Sequence, residues 1–131
     1  MGLVENDINE RVKLAVSELE MENLMDRDIF KLSGGEKQRV ACGSVTAMQP
    51  DVFVLDEPTS NLDKESIERL KNTLLLWKKQ GKTIIVVSSE MPEILGITNR
   101  IGVMSNGHLS GIVNTKETNQ EELLRLSAKY L

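Results

Sequence analysis

The stretch LSGGEKQRVACGSVTAMQPDVFVLDEPTSNLD, residues 32–63, decides the fold. It opens on a Ser-Gly-Gly triplet, followed by residues 36–48, a run that lacks proline. Apolar residues recur in this run at helical spacing, namely Val40, Ala41, Val45 and Met48. The pattern predicts a helix that begins near Ser33. Because glycines leave backbone N–H groups uncovered where the helix dipole favours negative charge, the triplet indicates either a phosphate-binding turn or an ordinary helix cap.

An apolar segment that ends in two acids follows the predicted helix. Residues 52–55 are continuously apolar and too few for a helix, which predicts a buried strand of a parallel sheet covered on both faces. Asp56 and Glu57 come directly after it. Ligands of open α/β sheets bind at this end of the strands. In phosphoryl transfer the first acid of such a pair holds Mg²⁺, and the second orients and deprotonates the attacking water. A solvated strand end is the alternative, and it explains one acid better than two.

The combination of LSGGE and DEPTSNLD resembles the ATPase subunits of ABC transporters. The resemblance identifies residues 32–36 with the signature motif, residues 52–56 with the Walker B strand and residues 60–63 with the D-loop. It also implies ATP and Mg²⁺ as cofactors, with Glu57 as the catalytic glutamate and Asp56 serving the magnesium, directly or through water.

In that family the signature motif contacts the γ-phosphate of ATP held by the opposite subunit of a head-to-tail dimer, and the D-loop lies along the same interface. The signature residues of this chain are Leu32, Ser33, Gly34, Gly35 and Glu36. Its D-loop residues are Ser60, Asn61, Leu62 and Asp63. The resemblance therefore implies two kinds of partner, a second nucleotide-binding domain and the transmembrane permease subunits.

Composition narrows the class of protein and its location. A chain of 131 residues has room for one domain. Its net charge of −4 and aromatic content of 3% argue against a nucleic-acid surface. No run approaches the roughly 18 apolar residues of a membrane span, and the start lacks a signal peptide. We therefore expect a cytoplasmic protein, which the resemblance places on the inner face of the cell membrane. Cys42, the only cysteine, is expected to be a small packing residue.

Periodic patterns predict the remaining elements. Residues 6–25 form a first helix, capped by Asn6 or Asp7, whose apolar stripe is Ile8, Val12, Ala15, Val16 and Leu19. The family resemblance places this helix in the helical subdomain that docks the membrane subunit. Residues 64–80 form another helix, ended by Gly81, and its core face is Ile67, Leu70, Leu74 and Trp77.

The last third of the chain reads as strand, hairpin and helix. The apolar run 83–87 predicts a second buried strand, parallel to the first. Asn106-Gly107 predicts a hairpin turn between strands at residues 101–104 and 109–113. A final helix is predicted over residues 119–131. The fold class is α/β: a three-layer, P-loop NTPase-like (ABC ATPase) partial domain of parallel strands with flanking helices plus a C-terminal hairpin. Residues 1–48 would end the helical subdomain, and residues 49–131 would carry the Walker B strand, D-loop and C-terminal core.

The chain departs from the family pattern in two ways. The string VVSSE places Ser89 where most members have a switch histidine, and a serine cannot carry a positive charge, so we expect weaker or differently organised hydrolysis. The sequence also contains no G-x-x-x-x-G-K-[ST] loop. We therefore expect the C-terminal part of a nucleotide-binding domain, inactive by itself. Its missing P-loop strand would be compensated by direct pairing of residues 83–87 with 101–104, by exchange between copies, or by a partner.

Two subfamilies contribute to the resemblance. Residues 81–131 resemble sugar-importer ATPases of the galactose/methyl-galactoside and ribose type, whereas residues 1–63 resemble lipoprotein-release and vitamin-uptake types. We favour an ATP-hydrolysing subunit of a monosaccharide importer. The alternatives are an ATPase of a lipoprotein-release or vitamin-uptake system, and a non-hydrolysing module that supplies its signature motif in trans. A DNA-repair or chromosome-organising ATPase fits worse, because no heptad run is present.

Overall fold

The computed structural model describes residues 4–131. In chain order the helices and strands are α1 (Glu5–Glu18), α2 (Gly34–Ala47), β1 (Val52–Asp56), α3 (Lys64–Lys79), β2 (Thr83–Val87), α4 (Met91–Ile97), β3 (Arg100–Ser105), β4 (His108–Asn114) and α5 (Gln120–Ser127). Short 3₁₀ turns lie at Glu22–Leu24, Ile29–Lys31 and Thr115–Glu117. Internal contacts divide the chain into two compact units, the first ending at Ile85 and the second beginning at Val86.

The first helix is shorter than predicted. It ends at Glu18 rather than near residue 25, and its N-cap is Val4, without a side-chain hydrogen bond, so the predicted cap at Asn6 or Asp7 is wrong. The chain turns at Glu20, whose φ of 51° lies in the left-handed region. Because of this turn, three apolar side chains all point into the core. In a continuous helix the same side chains would lie on different faces. They are Leu19, Met21 and Leu24.

The second helix buries its small residues rather than its larger apolar ones. The predicted helix start near Ser33 is confirmed, but Val45 and Met48, two of the apolar residues in the pattern, are 38% and 67% exposed. Cys42, Gly43 and Thr46 are the buried positions. A Cβ on Gly43 would contact the Met21 side chain, which shows how closely the segment after α1 packs against α2. The packing role predicted for Cys42 is confirmed, and burial raises the pKa of its thiol to about 11.

The third helix supplies the centre of the first unit, as predicted. Leu70, Leu74 and Trp77 are buried, and the Trp77 ring stacks on Phe53 of β1 with centroids 3.8 Å apart and an interplanar angle of 12°. Gly81 follows the helix with a φ of 78°, a conformation that favours glycine. The predicted helix, its core face and its glycine stop are confirmed.

Strand β1 is covered on one face only. β1 and β2 form a two-stranded sheet. Phe53 faces the core and is 3% exposed, but Val52 and Val54 are 51% and 66% exposed, and Ile85 of β2 is 49% exposed. The expectation that both faces of this strand are covered is therefore wrong for this chain. Side chains alternate along a strand, so one helix layer leaves every second residue open.

The second unit is a hairpin packed against two helices. β3 and β4 pair antiparallel, with Ser105 opposite His108. Asn106 and Gly107 have φ values of 45° and 78°, as a type I′ turn requires, so the predicted hairpin is confirmed. Its core is Ile101, Val103 and Leu123, with Met91, Ile94, Leu95, Val113 and Leu126 around it. Helix α4 was not predicted; Pro92 in its first turn was the available signal.

The final helix and the sheet connectivity also differ from expectation. α5 ends at Ser127 rather than at residue 131, and Asn119 caps it by accepting the Glu122 N–H at 3.0 Å. Among residues 4–131, β3 pairs with β4 and not with β2, because the two pairs of strands form separate sheets. Direct pairing across the missing strand is therefore wrong, while strand exchange and a borrowed strand stay predictions.

Candidate functional site

The signature turn is a reciprocally capped helix start. Leu32 is buried at 7% exposure and leads into Ser33, the N-cap of α2. The Ser33 hydroxyl oxygen accepts the Glu36 N–H at 3.2 Å, and the Glu36 carboxylate accepts the Ser33 N–H at 2.8 Å. This is the arrangement of a capping box. A serine oxygen that accepts one hydrogen bond still has its own proton to donate. The turn is therefore a stable cap that retains a donor for an anion.

Arg27 binds the other carboxylate oxygen of Glu36. Its Nη1 lies 2.8 Å from Glu36 Oε1. The pKa of the Glu36 carboxyl is lowered, mainly by the Ser33 backbone N–H and further by the Ser33 hydroxyl and the Arg27 guanidinium. Glu36 is consequently anionic at neutral pH. The residue types at 33 and 36 signal the cap in the sequence, but nothing in the sequence signals the contribution of Arg27.

The two predicted catalytic acids occupy the end of β1. Asp56 is the last residue of the strand and is exposed, whereas Glu57 is half-buried with a φ of 44°. The Glu57 carbonyl accepts the Ser60 N–H at 3.1 Å. A non-glycine residue in the left-handed region costs about 1–3 kcal/mol and is found preferentially at functional sites. The backbone at the predicted general base is therefore held in an unfavourable conformation by its surroundings.

The predicted D-loop forms the turn into α3. Asn61 has a φ of 61°, and its side-chain amide donates to the Ser60 hydroxyl at 3.2 Å. Asp63 is the N-cap of α3 and accepts the Ser66 N–H at 2.7 Å, which is the main reason that the pKa of its carboxyl is lowered. Thr59 of this turn was not among the predicted site residues; it is 8% exposed, and its Oγ1 has no hydrogen-bond partner among residues 4–131.

The signature turn and the D-loop lie against each other in the first unit. A Cβ on Gly34 would lie 3.8 Å from the carbonyl oxygen of Asn61, and a Cβ on Gly35 would lie 2.7 Å from the Ser66 Cβ. The starts of α2 and α3 are thus neighbours, and the close approach explains why a residue without a side chain occupies position 35. Leu62 also lines a cavity of about 150 Å³ in this unit, together with Gly35 and Ser66.

The predicted switch position belongs to the second unit. Ser89 is exposed and follows β2, and the hydroxyl of its neighbour Ser88 accepts the Glu90 N–H at 3.0 Å. His108, the only histidine, begins β4, and its ring centroid lies 5.1 Å from that of Tyr130. His108 therefore lies in the hairpin, opposite Ser105.

Replacing Gly35 by alanine should destabilise the first unit by about 1–3 kcal/mol, because the added methyl would overlap the Ser66 side chain. Gly34→Ala is the matched control, since a Cβ there makes only an ordinary contact. Urea unfolding followed by circular dichroism measures both. The double variant Gly35→Ala, Ser66→Gly should recover most of the loss. Equal unfolding midpoints for the two single variants would contradict the close approach.

Asp56 fits the coordination that a nucleotide-bound magnesium uses. Mg²⁺ is usually held by one or two carboxylates together with phosphates and waters. Asp56 offers one exposed carboxylate at a strand end, and within residues 4–131 no group of three or more histidine, cysteine or acidic residues could hold a metal by itself.

None of the helices in the described part of the chain is long and apolar enough to cross a membrane.

Comparison with known sequences identifies relatives over most of the chain. The ABC transporter family matches residues 1–60. The galactose/methyl galactoside import ATP-binding protein MglA of Treponema denticola is 60% identical over 106 residues, which cover 81% of this chain and 21% of that protein. Its namesake in Treponema pallidum is 57% identical over 103 residues, with 79% and 21% covered. The chain spans about a fifth of these relatives. Because a match of 106 residues is longer than residues 81–131, the likeness to the sugar importer extends well into the earlier part of the chain.

Solved structures confirm the predicted fold class. The structure of cbiO1 from Clostridium perfringens, described as part of the ABC transporter complex cbiONQ, has a TM-score of 0.83 at 33% identity, covering 95% of this chain and 51% of that one. The ATP-binding cassette MJ0796, solved as a dimer bound to ADP and phosphate, shares the fold with a TM-score of 0.73 at 24% identity, covering 88% and 50%. The order of elements, the LSGGE and DEPTSNLD motifs and these matches agree, and the chain belongs to the ABC transporter ATPase family.

Proposed function

We propose that this chain is the C-terminal part of a nucleotide-binding domain in an ABC importer, and that the intact domain couples ATP hydrolysis to uptake of a sugar such as galactose or methyl galactoside. The observation that carries the proposal is the high identity, over four-fifths of the chain, to a protein named for the import of these sugars. The geometry of the signature turn and of the end of β1 is compatible with it.

The signature turn is proposed to contact the γ-phosphate of ATP held by an opposite domain. Within the turn, the N–H groups of Glu36 and Lys37 are already bonded to Ser33. The first N–H groups of a helix have no intrahelical partner, so those of Gly34 and Gly35 are available to an anion. The Ser33 hydroxyl adds a third donor. Ser33 and Gly34 are exposed and Gly35 is half-buried, and Gly34 lies beside the Asn61 carbonyl of the predicted D-loop.

Asp56 and Glu57 are proposed to serve magnesium and water. Mg²⁺ bound with the nucleotide neutralises charge on the phosphates, and the exposed Asp56 carboxylate would hold it, directly or through water. Glu57 would accept the proton of the attacking water. Ser89 stands at the switch position and could donate only a neutral hydrogen bond to the phosphate. The proposed partners are a second nucleotide-binding domain, arranged head-to-tail, and permease subunits that keep the protein on the inner face of the membrane.

A segment replacement tests the transport function. The matched segment of the Treponema denticola relative is exchanged for that of this chain, and the chimera is expressed with the relative's permease in cells that lack galactoside uptake. We expect uptake of methyl galactoside and ATP hydrolysis. The unaltered relative is the positive control, and a version without the segment is the negative control. A folded chimera that assembles but transports no galactoside would overturn the substrate proposal. Copurification of the full chain with lipoprotein-releasing subunits would instead favour an ATPase of a lipoprotein-release system.

The second candidate is a non-hydrolysing module that offers its signature motif to another subunit. The absence of a G-x-x-x-x-G-K-[ST] loop from the sequence favours it for the isolated chain. Calorimetric titration of Mg-ATP into the chain alone tests it. Micromolar binding by this chain would contradict the module hypothesis, because the phosphates would then be held without any partner.

A further inference from the structure

Glu36 introduces a negative charge at the turn proposed to meet a phosphate. Its Oε2 accepts the Ser33 N–H at 2.8 Å, so the carboxylate is fixed beside the donor hydroxyl. An acidic residue in the first turn stabilises a helix, but the same charge repels an incoming anion. The negative charge of Glu36 therefore favours the helix cap and disfavours a bound phosphate. The repulsion is strong only if no positive charge lies beside the carboxylate.

The compensating charge comes from a segment outside the motif. Arg27 Nη1 lies 2.8 Å from Glu36 Oε1, and its Nη2 lies 3.5 Å from the Lys31 carbonyl oxygen. Its own N–H donates to the carbonyl of Leu24, a residue that is 4% exposed. The Arg27 backbone is thus anchored on the core. Since an arginine side chain is always protonated, the guanidinium is a permanent positive charge presented to Glu36.

The segment between Arg27 and the turn is held by its own hydrogen bonds. The Asp28 carboxylate accepts the Phe30 N–H at 2.9 Å, and the Asp28 carbonyl accepts the Lys31 N–H at 2.9 Å. These bonds fix the 3₁₀ turn Ile29–Lys31, which joins Arg27 to the signature turn. A short segment with its own hydrogen bonds therefore connects Arg27 to Glu36. The ion pair can form without the entropy cost of ordering a loop.

We propose that Arg27 is a positioning residue for phosphate recognition, acting through Glu36: it keeps the carboxylate in the helix cap and cancels the charge that this carboxylate brings to the signature turn. The proposal rests on the proposed phosphate contact of residues 33–35. An exposed ion pair of this kind contributes little to stability, so a purely structural role predicts almost no effect of removing Arg27. The proposed role predicts that removing Arg27 lowers the affinity of the turn for an anion.

Four variants separate charge from structure: Arg27→Ala, Arg27→Lys, Glu36→Gln and the double variant Arg27→Ala, Glu36→Gln. Glutamine preserves the capping box without the charge. The probe is inorganic tripolyphosphate, titrated into the full chain at fixed low ionic strength, with the amide resonances of residues 33–36 followed by NMR. Arg125→Ala, which removes an arginine from an exposed ion pair in the second unit, controls for net charge. Urea midpoints check that each variant remains folded.

We expect Arg27→Ala to weaken binding about two- to five-fold, the size of one partly screened surface charge. Glu36→Gln should strengthen it by a similar factor, while the double variant and Arg27→Lys should bind like the unsubstituted chain. Unchanged affinity in both Arg27→Ala and Glu36→Gln would overturn the role of Arg27 alone. Absence of saturable shifts in the unsubstituted chain would overturn the phosphate contact itself, and this proposal with it.

Discussion

Replacing Glu57 by glutamine is expected to lower ATP hydrolysis by the chimera about 10²- to 10⁴-fold, the usual contribution of a general base. Glutamine keeps the size of the side chain and can still bond a water, but it cannot take up the proton. Release of inorganic phosphate measures the rate. Dimerisation driven by Mg-ATP, followed by light scattering, should survive, because the signature turn and Asp56 are unchanged.

The matched control for Glu57 is Asp51→Asn. Asp51 lies just before β1, at the opposite end of that strand from Glu57, and its exposed carboxylate lies 3.6 Å from Lys82 Nζ. Removing this charge should leave hydrolysis within about two-fold, since it is far along the strand from the proposed site and contributes a surface ion pair. Undiminished turnover in the Glu57→Gln chimera would remove Glu57 from the catalytic role.

The largest expected loss of stability follows from replacing Trp77 by alanine. Truncating a buried tryptophan usually costs about 3–5 kcal/mol in free energy of unfolding. Trp77 is 1% exposed and joins α3 to β1 by stacking on Phe53, so its removal would leave a cavity between helix and strand. Because a domain is stable by only about 5–15 kcal/mol, the variant should be largely unfolded under mild urea. Circular dichroism measures the transition without relying on the lost tryptophan.

Two further variants make the Trp77 result specific. Trp77→Phe keeps an aromatic ring against Phe53 and removes the buried indole N–H, which has no hydrogen-bond partner in the described part of the chain, so it should lose much less stability. Leu75→Ala changes a residue of the same helix that is 52% exposed, and its midpoint should hardly move. Similar losses for Trp77→Ala and Leu75→Ala would show that the stacked pair is not the centre of the first unit.

Local chemistry in the sequence was sufficient for several elements. A serine followed by glutamate three positions later predicts the start of α2, because both hydrogen bonds of the cap lie within four residues. Asn106-Gly107 predicts the hairpin turn because both residues adopt positive φ readily. The apolar spacing of α3 and the stop at Gly81 are equally local. These same short signals carry the family resemblance, which the comparisons confirmed.

The sequence by itself determined the α/β class, the capped signature turn, the carboxylates at the end of β1 and the hairpin, because each depends on φ preferences or hydrogen bonds among near neighbours. Only the tertiary structure decided where α1 ends, which face of α2 is buried and which face of β1 stays open. It alone placed Ser66 against Gly35 and Arg27 against Glu36. Such contacts join residues from different elements, and their geometry depends on how those elements pack, which no local pattern encodes.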